Sequence, residues 1–124
     1  MSFARKQLGA NGEEIARRFL KKRRFKIVTQ NYRCKFGEVD IIARDPDNIL
    51  SFIEVKTRYS STHGTPQDAV NPRKQVQISR VALEFIQRYG LEQQRARFDV
   101  VAVQFSSAGY TVDLIQNAFD LPLA

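Results

Sequence analysis

Two β-patterned runs, Glu38-Val39-Asp40-Ile41-Ile42 and Ile49-Leu50-Ser51-Phe52-Ile53-Glu54-Val55-Lys56, constrain this chain more than any other feature. Between them stands Asp45-Pro46-Asp47-Asn48. Asp, Pro and Asn supply turn geometry between β-branched runs, so the stretch predicts an antiparallel hairpin. With the turn centred on Asp47, Asp40 falls opposite Glu54. Strand side chains alternate, which puts Glu38, Asp40, Glu54 and Lys56 on one face and Val39, Ile41, Ile53 and Val55 on the other. Directly opposed residues are roughly 4.5 to 5.5 Å apart at Cβ, and like charges placed there destabilise a sheet. Two carboxylates so placed share either a proton or a cation, and Lys56 beside them favours the ionised state. A hard divalent ion with oxygen ligands is the natural third party. The plainer alternative is a solvated sheet face on which Glu, Asp and Lys alternate.

A chain of 124 residues supplies one hydrophobic core, so residues 1–124 read as a single domain. No apolar run approaches the roughly 18 residues that a membrane span needs, and no apolar secretory segment opens the chain, which points to the cytoplasm and away from the membrane. One cysteine, Cys34, and one histidine, His63, exclude an internal disulfide and argue against a zinc site. The net charge of +7 implies a polyanionic partner. Its distribution sharpens this: residues 1–62 hold 14 Lys and Arg against 7 Asp and Glu, and residues 63–124 hold 6 against 6.

Along the chain, Gly9 and Gly12 predict an irregular lead-in over Ser2 to Gly12, with Asn11 capping the first helix. Ile15, Ala16, Phe19 and Leu20 form its apolar stripe, and Arg17, Arg18, Lys21, Lys22, Arg23 and Arg24 form a phosphate-facing side. Phe25 to Asn31 reads as the first strand. The turn after it brings Arg33 and Lys35 near the carboxylate face. Arg58 to Thr65 reads as a polar loop whose histidine, His63, is a surface residue. Asn71-Pro72 starts a second helix that ends at Gly90, with Arg73, Lys74, Gln75 and Arg80 on its polar side. Arg97 to Phe105 is apolar enough to lie inside the sheet, parallel to a strand of the hairpin, and Tyr110 to Ile115 is the last strand.

The order of elements and the residue patterns carry a resemblance. A first helix, three strands, a helix and a strand, with an acid on the second strand and Glu-x-Lys on the third, resembles the α/β core of the restriction-endonuclease-like PD-(D/E)xK nucleases, a mixed sheet flanked by helices. Gly9-x-x-Gly12-Glu13, Asn31-x-Arg33, Gly37-Glu38-Val39-Asp40, Phe52-Ile53-Glu54-Val55-Lys56-Thr57-Arg58 and Arg97-Phe98-Asp99-Val100-Val101 look like the motifs of the YraN-like family of small bacterial proteins, itself similar to the archaeal Holliday-junction resolvases. Val39 departs from the proline of many such nucleases, and His63-Gly64 stands where an aromatic residue would precede the glycine. The resemblance implies that Asp40 and Glu54 bind Mg²⁺ or Mn²⁺, with the Val55 carbonyl as a further ligand. It makes Lys56 the residue that orients or activates water, and Glu13 the extra acid of resolvase-like members. Arg17, Lys21, Arg24, Arg33, Lys35, Arg58 and Lys74 are the candidate nucleic-acid contacts. Lys74 and Gln75 fall where related nucleases place a substrate-contacting or supporting polar residue.

The function expected is therefore metal-dependent endonucleolytic hydrolysis of DNA, at branched structures in repair or recombination. A homodimer would serve two symmetric strands. The alternatives are a nucleic-acid-binding protein on a nuclease fold without catalysis, and a small RNA-binding protein, which would leave the acid pair unexplained.

Overall fold

The hairpin forms in the expected register: Arg44 pairs with Leu50, Ala43 with Ser51, Ile42 with Phe52 and Ile41 with Ile53. Its turn is held by Asp45, whose Oδ1 accepts the N–H groups of Asp47 at 2.8 Å and Ile49 at 2.9 Å. Asn48 takes the left-handed φ of 65° that closes the turn, a conformation Asn tolerates better than most residues. In this computed structural model residues 2–59 and 70–121 are described, and of residues 2–10 the backbone alone. The elements are α1 (Ser2–Lys22), β1 (Lys26–Cys34), β2 (Gly37–Arg44), β3 (Leu50–Tyr59), α2 (Pro72–Arg88), β4 (Ala96–Ser106) and β5 (Gly109–Phe119). The sheet order is β1-β2-β3-β4-β5. Its β3–β4 pairing is parallel and the others are antiparallel.

Each helix covers one face. Ala16, Leu20 and Phe25 pack on Ile41, Ala43, Ile53, Val101 and Val103. On the other face, Ile78, Val81, Ala82 and Phe85 of α2 pack on Val39, Ile42, Leu50, Phe52, Phe98 and Val100. Strands β3 and β4 therefore contribute apolar residues to both faces, as a parallel pair buried between two helices must. The expected α/β architecture holds, with α2 as the crossover between parallel β3 and β4.

Several boundaries differ from expectation. The segment 2–12 is helical, so Asn11 sits exposed inside α1 and does not cap it. Helix-forming residues such as Ala4, Lys6, Gln7 and Leu8 offset the two glycines, and Gly12 has a tertiary reason to be there. A Cβ on Gly12 would run into Thr57 Oγ1, so only glycine lets α1 lie this close to β3. Strand β1 runs on to Cys34 through a bulge at Val28, and β3 continues to Tyr59 because its whole length pairs with β4. Arg58 therefore lies on a strand, while His63 and Gly64 fall outside the described residues. Helix α2 starts as expected, with Asn71 Oδ1 accepting the Lys74 N–H at 2.9 Å and Pro72 in the first turn. Strand β5 extends to Phe119, four residues beyond the expected Ile115.

Candidate active site

Strands β2 and β3 stop pairing at Ile41 and Ile53. Beyond that point Gly37, Glu38 and Val39 stay with β1, whereas Glu54 to Tyr59 stay with β4, so the sheet forks. Asp40 and Glu54 are the next residues on each arm. Asp40 Oδ2 accepts the Val55 N–H at 2.8 Å, a carboxylate taking up a donor that β3 turns towards β2 where the backbone ladder has ended. Across from Asp40, Asn31 has a left-handed φ of 53° between the pairs Gln30–Ile41 and Tyr32–Val39. Strict alternation breaks here. Val39 packs on the α2 side and Ile41 on the α1 side, so Val39 does not share a face with Ile41, Ile53 and Val55 as the hairpin pattern predicts. The break falls opposite the left-handed Asn31, where β2 has left β3 and pairs with β1 alone.

Glu54 is buried, 5% exposed. Burial, then hydrogen bonding to Asp40 and repulsion from its charge, pushes the Glu54 carboxyl up to about 8, against the pull of Lys74 and Lys56. Those ammonium groups lie 3.6 Å (Lys74) and 3.9 Å (Lys56) from Glu54 Oε2. Near neutral pH Glu54 thus keeps its proton while hydrogen-bonded to Asp40. Glu13 stands near enough to Asp40 to feel its charge: its carboxyl is also raised, by burial first and then by the negative charges of Asp40 and Glu38. The close approach of α1 at Gly12 is what carries Glu13 there. Among the described residues no three His, Cys, Asp or Glu side chains are gathered into a ready metal cage. The carboxylates at the fork are Asp40 and Glu54.

The remaining candidates divide. Arg33 Nε donates to Glu38 Oε2 at 3.1 Å. Arg33, Glu38 and Lys74, with Cys34, Gly37 and Gln77, line a cleft of about 370 Å³ beside the acids. Lys35 sits at the β1–β2 turn over the Phe36 ring. Val55 is at the fork itself, and Arg58 is half-buried towards the end of β3. Arg17 and Arg18 are engaged by Glu14 on their own helix. Lys21 and Arg24 lie at the C-terminal end of α1, where the chain enters β1 with Lys26 paired to Arg44. Asp40 is four residues away along β2, roughly 13 Å at about 3.3 Å per residue, so the fold does not bring this basic cluster to the acids. Gln75 turns back to the Val70 carbonyl at 2.9 Å and supports the start of α2.

Two features escaped the sequence reading. The ion pair of Lys74 with Glu54 joins residues on different elements, and only their packing reveals it. The Arg97-Phe98-Asp99 stretch proves to be a brace: Arg97 bridges Asp45 and Asp99, Asp99 also accepts from the Ser51 hydroxyl, and the Asn117 N–H reaches Asp99 Oδ1 at 3.0 Å. Burial alone would raise the Asp45 carboxyl, but Arg97 and the N–H groups of Ile49 and Asp47 hold it below its ordinary value. The brace ties the hairpin turn to β4 and β5. In the sequence, Asp99 in an apolar strand has the same appearance as a site acid.

The chain belongs to the uncharacterised protein family UPF0102, whose sequence model matches residues 12–103. Similar chains include a UPF0102 protein of Syntrophus aciditrophicus, 49% identical over 91% of this chain and 88% of that one. One from Geotalea uraniireducens is 50% identical over 94% and 91%. Another, from Geobacter metallireducens, is 45% identical over 98% of both. The expected YraN-like membership therefore holds.

Proposed function

We propose that this UPF0102 protein is a divalent-metal-dependent endonuclease that hydrolyses phosphodiester bonds in DNA, branched DNA in the cytoplasm being its substrate. The observation that carries the reading is the contact of Asp40 with buried Glu54 at the fork, flanked by two lysines. An all-oxygen donor set suits Mg²⁺ or Mn²⁺, and the proton that buried Glu54 holds stands where a dication's charge would serve. Asp40 and Glu54 would hold the ion, with Glu13 and the Val55 carbonyl as further oxygen donors. Bound there, it would neutralise charge on the phosphate and lower the pKa of water.

The chain's own groups do the rest. Lys56 and Lys74 present two ammonium groups to one spot, suited to non-bridging phosphate oxygens through charge-assisted hydrogen bonds. Lys56 would also hold the attacking water in line. Arg33 lines the cleft along which the backbone would run. Resemblance to the PD-(D/E)xK nucleases supports these roles, and symmetric cutting of a junction would call for a homodimer. The second reading, a DNA-binding protein without catalysis, draws on one observation: Lys74 stands 3.6 Å from Glu54 Oε2, so that Glu54 can serve to hold this lysine in place.

The test is cleavage of end-labelled four-way-junction, flap and linear DNA with Mg²⁺, Mn²⁺ or chelator. Wild type should give metal-dependent products. Glu54→Gln should lose at least about 100-fold in rate, the scale of removing a main charge-stabilising group, while still binding DNA. Equal cutting by both proteins, or binding without cutting by either, overturns the enzyme reading.

A further inference from the structure

Helix α2 leaves one flank uncovered. Ile78, Val81, Ala82 and Phe85 are buried against the sheet, whereas Arg73, Val76 and Arg80 are exposed. With Gln77 they recur at helical spacing along one side, spanning about 10 Å of helix at roughly 1.5 Å per residue. Facing them is the tip of the β1–β2 hairpin. Cys34 pairs with Gly37, so Lys35 and Phe36 form a two-residue loop. The Phe36 side chain projects there 37% exposed. Phe36, Arg73, Val76, Gln77 and Arg80 enclose a groove of about 410 Å³.

This groove is joined to the acid fork. Gln77 lines both it and the cleft that contains Lys74 and Glu38, and Lys74 reaches Glu54. The junction depends on Gly37. At its φ of 140° a side chain would be strained, and a Cβ would collide with the Gln77 amide, so glycine lets Gln77 lie across the hairpin. Among the described residues neither Arg73 nor Arg80 has a carboxylate partner, and Lys35 Nζ stands 5.2 Å from the Phe36 ring centroid. Unpaired guanidinium groups beside an exposed aromatic ring combine the two things that hold an unpaired strand: cations for its backbone and a platform for its bases.

We infer that the groove between α2 and the β1–β2 turn binds a single-stranded arm of the DNA, a base stacking on Phe36 and the backbone held by Arg73 and Arg80, leading the strand to the acid fork. Duplex DNA keeps its bases stacked inside and offers Phe36 nothing, so the groove favours substrates with an unpaired arm. This rests on the DNA reading above, but its test does not need cleavage.

The chain contains no tryptophan, so Phe36→Trp introduces a single fluorescent reporter at the stacking position. In chelator, titration of this variant with oligo-dT should quench the emission, and an equal-length duplex should not. In the wild-type background, Phe36→Ala should weaken oligo-dT binding roughly 5- to 100-fold, the range for loss of one stacking platform, with duplex binding unchanged. Arg73→Ala with Arg80→Ala should weaken oligo-dT binding and flatten its salt dependence by about 1.4, two lost phosphate contacts at about 0.7 each. Oligo-dT that binds without quenching, equal quenching by duplex, or unchanged affinity in the double variant overturns the inference. Because all three positions are exposed, the variants should keep the wild-type melting temperature. Loss of cleavage alone would count against the nuclease reading and leave these binding results standing.

Discussion

Replacing Glu54 with Gln should make the metal-free protein more stable, by an amount that grows with pH. Glu54 is buried against Asp40, and its carboxyl is pushed from an ordinary 4.5 to about 8. A group whose folded pKa is raised contributes its full stability below the unfolded value and loses it as pH climbs through the folded one. Wild type should therefore lose stability between about pH 4.5 and pH 8, as the native state is forced to ionise or to hold a proton that the unfolded chain would release. At about 1.4 kcal/mol per decade the whole interval is worth roughly 5 kcal/mol, and water entering the fork should reduce this to about 2–3 kcal/mol at pH 8. Gln has nearly the shape of the protonated acid and no proton to lose. In urea unfolding with chelator present, the two proteins should match near pH 4.5 and diverge above pH 6, the variant ahead at pH 8 by about 2–3 kcal/mol, or on the order of 5–10 °C in melting temperature. Added Mg²⁺ should narrow the gap by stabilising wild type alone. A variant that is equal to or weaker than wild type at pH 8 would refute the reasoning, because it would mean that Lys56 and Lys74 more than offset burial and the Asp40 charge.

Arg97→Met removes the cation from a buried network and leaves Asp45 and Asp99 uncompensated; unfolding in urea should show a loss of about 3–5 kcal/mol, and a loss under about 1 kcal/mol would show that the brace is not holding the turn. Gly12→Ala improves intrinsic helix propensity by about 1 kcal/mol yet drives a methyl group into Thr57 Oγ1. It should destabilise by about 1–2 kcal/mol in wild type and be neutral or stabilising with Thr57→Ala, a double-mutant cycle whose additivity would rule out the contact.

Much of the fold is legible from local chemistry. The Asp45 to Asn48 turn, the alternating runs on either side of it and the Asn71-Pro72 start specify a hairpin and a crossover helix, because turn geometry, side-chain alternation and capping depend on residues a few positions apart. The opposition of Asp40 and Glu54 follows from the same short-range logic. What lies beyond it depends on contacts between elements distant in the chain. The break in alternation at Asp40 appears only where β2 and β3 part company to follow different neighbours. Gly12 looks like a helix breaker until Thr57 stands against it, and Asp99 looks like a site acid until Arg97 and Ser51 enclose it. Lys74 reads as a candidate nucleic-acid contact on the polar side of α2, and only packing shows that it lies against Glu54. The basic run at Lys21 to Arg24 shows the converse: composition made it the obvious phosphate surface, and the direction of α1 set it at the far end of the hairpin from the acids. Residue types and local spacing determined which chemistry this chain can carry. Packing decided which groups share it, since burial and separation, which set the charge state of a carboxylate, exist only once the helices have closed on the sheet.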